Sequence, residues 1–186
     1  MKSFLDNFTG SNITPEALRE LKSKIKTKRV EKGEVLLRKG EKSSSGYFVK
    51  SGLLRSYTVD EKGKEHIFMF APEGWVIGDI GLQIAEKESD LFVDAIEQSE
   101  IEVIRSDVFL RTDLPGEVAI TKRDRRIYVL QKRIIMLMSA SLQDRYLDFI
   151  DTYPDIVQRV PQKMIASYLG VTPEALSKIR GDMAKK

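Results

Sequence analysis

The chain has 186 residues, of which 41% are hydrophobic and 32% charged, and it carries a formal net charge of +3. This composition is that of an ordinary globular protein and argues against intrinsic disorder. No apolar run approaches the roughly 18 residues that a membrane span needs, and the first ten residues do not resemble a signal peptide. We therefore expect a cytoplasmic protein with no membrane partner.

The sequence contains no cysteine and a single histidine. The absence of thiols excludes disulfides, thiolate zinc sites, cysteine-ligated iron–sulfur clusters and cysteine nucleophiles. The lone His66 lies in the alternating stretch KEHIFMF, which is more typical of a strand residue than of a metal ligand. We therefore expect no metal site, no cofactor and no catalytic residue, and we do not predict an enzyme.

The positive charge is concentrated in the last third of the chain. Residues 1–115 contain 18 Lys and Arg against 20 Asp and Glu, a net charge of −2, whereas residues 116–186 contain 13 against 8, a net charge of +5. An excess of basic residues in one part of a chain is weak support for a polyanionic partner, because many proteins carry solvated basic faces.

The pentapeptide TPEAL occurs twice, at residues 14–18 and 172–176. In each copy Thr supplies an N-cap oxygen, Pro suits the first helical position and Glu favours the positive end of the helix dipole. The first copy predicts a helix over about residues 14–26. No helix precedes this copy to brace it, so its basic residues are most simply a solvated face.

Short apolar or alternating runs follow, separated by glycine-containing segments. The predicted strands are Val35 to Leu37, Tyr47 to Val49, Leu53 to Val59 and His66 to Phe70, and two more lie in FVDAIEQSEIEVIRSDVF. Regularly spaced strands with glycine turns are typical of an antiparallel barrel or sandwich.

The periodicity changes after Pro115. Apolar residues recur at spacings of seven, three and four over roughly 25 residues without Gly or Pro, which predicts a long amphipathic helix. The apolar stripe consists of Ile120, Ile127, Leu130, Ile134 and Leu137. Such a stripe indicates a helix that pairs with its own copy, although a helix packed on its own barrel is the alternative. A further helix begins at Ser141, with Asp144 placed for a capping box, and ends at Pro154.

The last block, VPQKMIASYLGVTPEALSKIRGDMAKK, predicts two short helices joined by a tight turn. Ile165, Ala166 and Leu169 form one apolar face, and Gly170 ends the first helix. Thr172 caps the second helix, whose outward residues are polar. Two short helices joined by a Gly-containing turn of three or four residues are typical of a helix-turn-helix, although plain helical hairpins also end in Gly.

The order of these parts resembles the Crp/Fnr family of bacterial transcription regulators over nearly the whole chain. The resemblance rests on KGEVLLRKGE, YFVKSGLLRSY, GWVIGDIGL and IASYLGVTPEALSKIR. It implies an α+β chain with an N-terminal antiparallel, jelly-roll-like β-roll sensor domain at residues 1–115. A long dimerisation helix at 116–140 and an all-α helix-turn-helix domain at 141–186 would follow.

The predicted effector pocket departs from the family pattern. Relatives that bind cyclic AMP have a Gly-Glu-Leu stretch for the ribose and an Arg-Ser or Arg-Thr pair for the phosphate. Here Gly78, Asp79 and Ile80 stand in the first stretch, while Ser89 and Asp90 stand at the phosphate. A carboxylate repels a phosphate, so we expect no cyclic AMP binding in the usual mode. The lack of Cys and of a spare His also argues against iron–sulfur and haem sensing, and the effector is unknown.

By the same resemblance, double-stranded DNA is the expected partner of the second TPEAL helix. Glu174 and Lys178 would read bases, whereas Thr172 and Arg180 would contact phosphates. Pro173 stands where the family often has Arg, and Gln162 and Ser177 complete the expected DNA-binding set. Many relatives continue into a β wing where this chain has DMAKK, so Lys185 and Lys186 are the expected substitutes for its phosphate contacts. RNA polymerase is a further partner that the resemblance allows.

These patterns together predict a homodimeric, sequence-specific DNA-binding transcription regulator with a degenerate effector pocket. The alternative is a cyclic-nucleotide-type regulatory or protein-interaction module that does not bind DNA. A cupin-type enzyme is a third possibility, and the single histidine makes it a poor one.

Overall fold

The computed structural model describes residues 3–8, 13–42, 45–79, 88–105, 108 and 130–185. These residues divide into two compact units, one from Met1–Thr58 and Phe68–Lys122 and the other from Val59–Ile67 and Arg123–Lys186. The fold class is confirmed: an antiparallel β domain is followed by several helices. The division of the chain at residues 115 and 140 remains a prediction.

The first unit begins with a short 3₁₀ helix, Phe4–Phe8, and helix α1, Pro15–Ser23. The strands are β1 Ile25–Val30, β2 Val35–Leu37, β3 Ser45–Ser51, β4 Leu54–Val59, β5 Glu65–Ala71, β6 Val76–Ile77, β7 Phe92–Ala95 and β8 Ser99–Arg105. They form two four-stranded sheets in the orders β1-β8-β3-β6 and β2-β7-β4-β5. The predicted strands are all confirmed, and β1 and β6 were not predicted.

The predicted end of the first helix is wrong, because α1 stops at Ser23 and Ile25 already begins β1. Strand β1 pairs in antiparallel register with β8, from Ile25 opposite Ile104 to Val30 opposite Ser99. Its sequence, IKTKRV, has no apolar alternation, because the four central residues are all polar. All four are exposed in the strand. A charged, exposed edge strand of this kind also discourages pairing with another chain.

The two sheets of the first unit enclose a core to which strands of both contribute. Its buried residues are Val30, Leu37, Tyr47, Val49, Leu54, Met69, Ala71, Ile77, Val93, Ala95 and Ile101. The alternation of β3 sends Tyr47 and Val49 into this core and Phe48 to the opposite face of its sheet. There Phe48 packs with Phe4 and Leu21, and Glu102 accepts hydrogen bonds from the Phe4 N–H and the Ser3 hydroxyl.

A buried ion pair lies on strands β4 and β7. Arg55 and Asp94 are directly opposite in the strand register, each is 7% exposed, and two N–H groups of the guanidinium donate to the carboxylate at 2.7 and 2.9 Å. The guanidinium also lies 4.2 Å from the ring centroid of Tyr57, which stacks on Phe92. A fork-to-fork geometry of this kind stabilises two charges that would otherwise be costly to bury.

Within its described residues, the second unit combines the tip of the β4–β5 hairpin with five helices. The helices are α2 at residues 130–139, α3 Leu142–Thr152, α4 Ile156–Arg159, α5 Gln162–Leu169 and α6 Pro173–Ala184. The predicted start of α3 is confirmed: the Ser141 hydroxyl accepts from the Asp144 N–H and donates to its carboxylate. Within the part of the chain that the structure describes, no helix is long and apolar enough to cross a membrane.

Aromatic side chains form the centre of the helical unit. Phe149 lies on α3, and Tyr153 is the C-cap residue of that helix. Their ring centroids lie 5.2 and 5.7 Å from the ring centroid of Tyr168 on α5. The guanidinium of Arg133 on α2 lies 4.2 Å from the Tyr168 ring centroid. Burial raises the pKa of the Tyr168 phenol and lowers the pKa of Arg133. Helices α2, α3 and α5 are therefore joined by one cluster of rings and a cation.

Candidate functional site

Helices α5 and α6 are joined by a tight turn at Gly170. This glycine has φ of +71°, in the left-handed region, and its N–H donates to carbonyls of the last turn of α5. The next N–H, of Val171, donates to the Ala166 carbonyl at 3.0 Å. Glycine adopts this conformation without the strain that a side chain causes. The predicted end of α5 at Gly170 is therefore confirmed.

The two helices bury one apolar face and leave the other face in solvent. Ile165, Ala166 and Leu169 of α5 are buried, as the sequence predicted, and Leu176 of α6 is fully buried. Ala175 and Ile179 of α6 are half-buried. This is the packing of a short helix pair braced by its first member.

The residues expected to contact DNA lie mainly on the first turns of α6. Pro173, Glu174, Ser177, Lys178 and Arg180 are exposed, and so is the N-cap residue, Thr172. Gln162, by contrast, opens α5 and is half-buried. Lys186 lies outside the described residues, and Lys185 follows the end of α6. The structure thus brings six of the seven expected DNA-contacting residues to one helix end.

Glu174 is held at the N-terminus of α6 in its charged form. Hydrogen bonds to its carboxylate, first from its own backbone N–H and then from the Thr172 hydroxyl, lower the pKa of Glu174. The Thr172 hydroxyl also accepts from the Ala175 N–H at 3.3 Å, which caps the helix. An ionised, exposed carboxylate accepts hydrogen bonds and so suits an amino group on a base edge.

Arg180 is exposed but has a neighbour in the same unit. Its guanidinium carbon lies 6.0 Å from the ring centroid of Tyr146 on α3, at the outer limit of a cation–π contact. The side chain therefore lies beside α3. The sequence offered no signal for this contact, because Tyr146 lies 34 positions away.

Two arginines that the sequence did not single out hold the C-terminal end of α5. Arg145 of α3 donates to the Leu169 carbonyl at 2.7 Å, and Arg133 of α2 donates to the Tyr168 carbonyl at 3.2 Å. Cations favour the negative end of a helix dipole and satisfy carbonyls that have no partner in their own helix. Both arginines therefore support the turn at Gly170, although neither is part of a recognisable motif.

Comparisons with known proteins agree with this geometry. Residues 27–112 match the cyclic nucleotide-binding domain family. The anaerobic regulatory protein of Haemophilus influenzae is 25% identical over 93% of this chain and 73% of its own length. The fumarate and nitrate reduction regulatory protein of Yersinia pestis is 27% identical over 85% of this chain and 68% of its own length. The chain therefore resembles regulators of the Crp/Fnr family.

Solved structures share the fold of this chain. FixK2 from Bradyrhizobium japonicum superimposes with a TM-score of 0.72 at 16% identity, over 87% of this chain and 85% of its own. A transcriptional regulator of the CRP/FNR family from Thermus thermophilus gives a TM-score of 0.67 at 19% identity, over 86% of each chain. At 16–19% identity, these structures show a shared fold alone.

The residues at the expected effector pocket bind one another. Ser89 is buried, with 2% of its surface exposed. Its hydroxyl donates to a carboxylate oxygen of Asp79 at 2.9 Å, and the Asp90 N–H donates to the same oxygen at 3.1 Å. The Asp90 side chain is exposed. Gly78 lies close to β3, since a Cβ there would be 3.2 Å from the backbone of Ser45 and Gly46. Ile80 lies outside the described residues.

The expected dimer stripe is described only in part. Ile120 and Ile127 lie outside the described residues, and Leu130 is half-buried. Ile134 is 58% exposed, and two exposed residues that the sequence analysis did not include, Ile135 and Met138, extend its apolar face. Leu137 also approaches the helix pair, because its Cδ2 atom is 3.5 Å from the Cβ position of Gly170.

Within the described residues, no group of three or more His, Asp or Glu side chains could hold a metal ion. His66 is instead paired with Asp60, 2.8 Å away at the hairpin tip, where the Asp60 carboxylate also accepts from the Lys62 and Lys64 N–H groups. The hydrogen bond with His66, followed by that from the Lys64 N–H, lowers the pKa of Asp60. This arrangement makes the histidine part of a turn.

Proposed function

We propose that this Crp/Fnr chain is a homodimeric, sequence-specific DNA-binding transcription regulator that reads bases with α6. The observation that carries the proposal is the exposed polar first turn of a helix whose other face is buried on a bracing helix. A recognition helix needs both features, because its side chains must reach base edges while the helix itself is held rigidly. The regulators of H. influenzae and Y. pestis to which the chain is similar support the same function.

The roles of single residues follow from their chemistry. Glu174 is an acceptor for the amino group of cytosine, and Lys178, one turn later, is a donor for guanine. Thr172 and Arg180 contact phosphates, with Gln162 and Ser177 at the edge of the same surface. Pro173 offers no side-chain donor, so one base contact is absent and discrimination is correspondingly lower. The net charge of +5 over residues 116–186 favours a polyanion in this part of the chain.

The dimer forms through the long helix, and its exposed apolar residues support this. Ile134, Ile135 and Met138 expose large apolar side chains on neighbouring turns of α2. A second copy of the same helix is the partner that such a stripe fits, because an isologous interface is self-complementary. The assignment of residues 1–115, 116–140 and 141–186 to sensing, dimerisation and DNA binding is part of the proposal.

The effector pocket does not bind cyclic AMP in the usual mode. A phosphate needs a cation or several donors, whereas the oxygen of Asp79 that faces Ser89 already accepts from the chain itself. Any effector is therefore of another chemical class. Titration calorimetry with cyclic AMP tests this point: we expect no heat of binding, and a dissociation constant in the micromolar range would contradict it.

Selection of bound duplexes from a random pool, with purified protein and no added ligand, tests the proposed function. We expect enrichment of a pseudo-palindromic site whose half-sites are spaced by about one helical turn, roughly 34–36 Å. Recovery of an unenriched pool at low salt would contradict DNA reading and favour a protein-interaction module. RNA polymerase, added as a second component with the selected duplex, tests whether it is a further partner.

A further inference from the structure

A single hydroxyl joins helix α5 to strand β5 of the β4–β5 hairpin. Ser167 Oγ donates to the Glu65 carbonyl at 2.8 Å and accepts from the Ile67 N–H at 3.0 Å. Strand β5 is an edge strand of its sheet, and the backbone groups of residues 65 and 67 point to the same side of the strand. The serine therefore bonds the strand edge as a neighbouring strand would.

Arg133 of α2 adds a third bond to the same edge. Its Nη2 atom donates to the Ile67 carbonyl at 3.0 Å and to the Tyr168 carbonyl at 3.2 Å, so one guanidinium bridges the hairpin and α5. The same guanidinium lies on the face of the Tyr168 ring. All of these atoms belong to the helical unit of the chain.

We propose that Ser167 and Arg133 form a latch that fixes helix α5 to the hairpin edge and so positions α6 for specific DNA binding. The proposal rests on the proposed function, because it assigns a role in DNA reading to two residues that do not touch DNA. The reading residues Glu174 and Lys178 remain exposed with the latch closed, so the closed latch is the DNA-competent arrangement.

The latch acts on specific rather than non-specific binding for a geometric reason. Reading two half-sites at once requires both recognition helices at a fixed orientation to the long helix, and Arg133 ties α5 to that helix directly. Non-specific binding depends mainly on the number of phosphate contacts and tolerates variation in orientation. Loss of the latch should therefore reduce the ratio of the two affinities.

Three serine variants of the full chain test the proposal. Ser167→Ala removes the hydroxyl, and Ser167→Thr retains it. Ser23→Ala is the matched control, because the Ser23 hydroxyl bonds only the Glu20 carbonyl of its own helix. Affinities would be measured for the duplex selected from the random pool and for a shuffled duplex of equal length. Amide hydrogen exchange at Ile67 would be measured without DNA, with Ile101 of β8 as the internal reference.

We expect Ser167→Ala to weaken binding to the selected duplex about 3- to 10-fold, the range of one net hydrogen bond, and to change shuffled-duplex binding less than about twofold. Ser167→Thr and Ser23→Ala should match the wild type. Exchange of the Ile67 amide should accelerate in Ser167→Ala while that of Ile101 does not. Arg133→Lys, which keeps the charge and loses the fork, should reproduce the loss of specificity.

Several outcomes overturn the latch. Equal affinities of Ser167→Ala and wild type for the selected duplex would show that the hydroxyl positions nothing. An equal loss on both duplexes would show a general effect on the fold, as would acceleration of both amides together. A wild-type protein with no preference for any duplex removes the proposed function, and the latch with it. Intact wild-type preference with an unaffected Ser167→Ala removes the latch alone.

Discussion

Thr14 and Thr172 occupy the same position in the two copies of TPEAL, and both cap a helix. The Thr14 hydroxyl accepts from the Ala17 N–H at 3.2 Å, and the Thr172 hydroxyl accepts from the Ala175 N–H at 3.3 Å. The pentapeptide therefore encodes the same local structure twice. The copies differ in the elements beside them. Helix α6 follows the bracing helix α5, whereas α1 leads into the edge strand β1.

Glu174→Ala should relax base preference at one base pair in each half-site by roughly 1–3 kcal/mol, because a carboxylate acceptor is lost from the reading face. Binding to random-sequence duplexes should change little. Quantitative selection of bound sequences measures the effect position by position. Glu16→Ala makes the same change in the first copy and serves as the control. A shifted preference with Glu16→Ala, and none with Glu174→Ala, would mean that the wrong helix has been assigned to DNA reading.

Asp94→Ala should lower the free energy of unfolding by about 3–5 kcal/mol, because it leaves the buried guanidinium of Arg55 without its carboxylate. Replacement of both residues, with Arg55→Met and Asp94→Leu together, should recover most of that loss. Urea denaturation followed by circular dichroism gives both values. In the control, Glu34→Gln breaks the solvent-exposed pair with Lys28 and should lower the free energy of unfolding far less. Equal losses for the buried and exposed pairs would contradict the role of burial.

At the scale of elements, the turn between α5 and α6 depends on one backbone conformation. Gly170→Ala should destabilise the protein by about 1–2 kcal/mol because φ is positive there. The cost is backbone strain rather than a clash, since the nearest atom to a Cβ, Leu137 Cδ2, would lie at an ordinary 3.5 Å.

Gly181 provides the matched control for Gly170. It lies inside α6, and a Cβ there would have no atom within 4 Å. Gly181→Ala should therefore stabilise the protein by about 0.5–1 kcal/mol, opposite in sign to Gly170→Ala. Thermal and urea unfolding of both variants would establish the signs. Stabilisation by Gly170→Ala would show that the left-handed turn is not required.

At the scale of the whole molecule, we expect the exposed apolar face of α2 to decide the oligomeric state. Ile134→Glu combined with Met138→Glu should convert the dimer to folded monomers, because buried carboxylates at a self-complementary interface repel each other. Sedimentation velocity measures the change. Leu147→Glu alters an exposed apolar residue of α3 and should leave the dimer intact. A double variant that still sediments as a dimer would place the interface elsewhere.

The sequence by itself determined the order of elements wherever local chemistry is sufficient. Caps at Thr14, Ser141 and Thr172 and the glycine at 170 set helix ends through bonds between residues a few positions apart, and the apolar alternation of β3 and β5 predicted strands. The resemblance to the Crp/Fnr family rests on these same segments. These predictions depend on periodicity and capping, which involve only residues close together in the chain.

Only the tertiary structure decided which distant residues meet. Strand β1 exists because β8, some seventy positions later, pairs with it, and the predicted helix end failed for that reason. Arg55 and Asp94 lie 39 positions apart in the chain. Ser167 and the Glu65 carbonyl lie 102 positions apart. Such contacts depend on strand register and helix packing, which no local pattern encodes, so the candidate reading face could be predicted from sequence and the latch behind it could not.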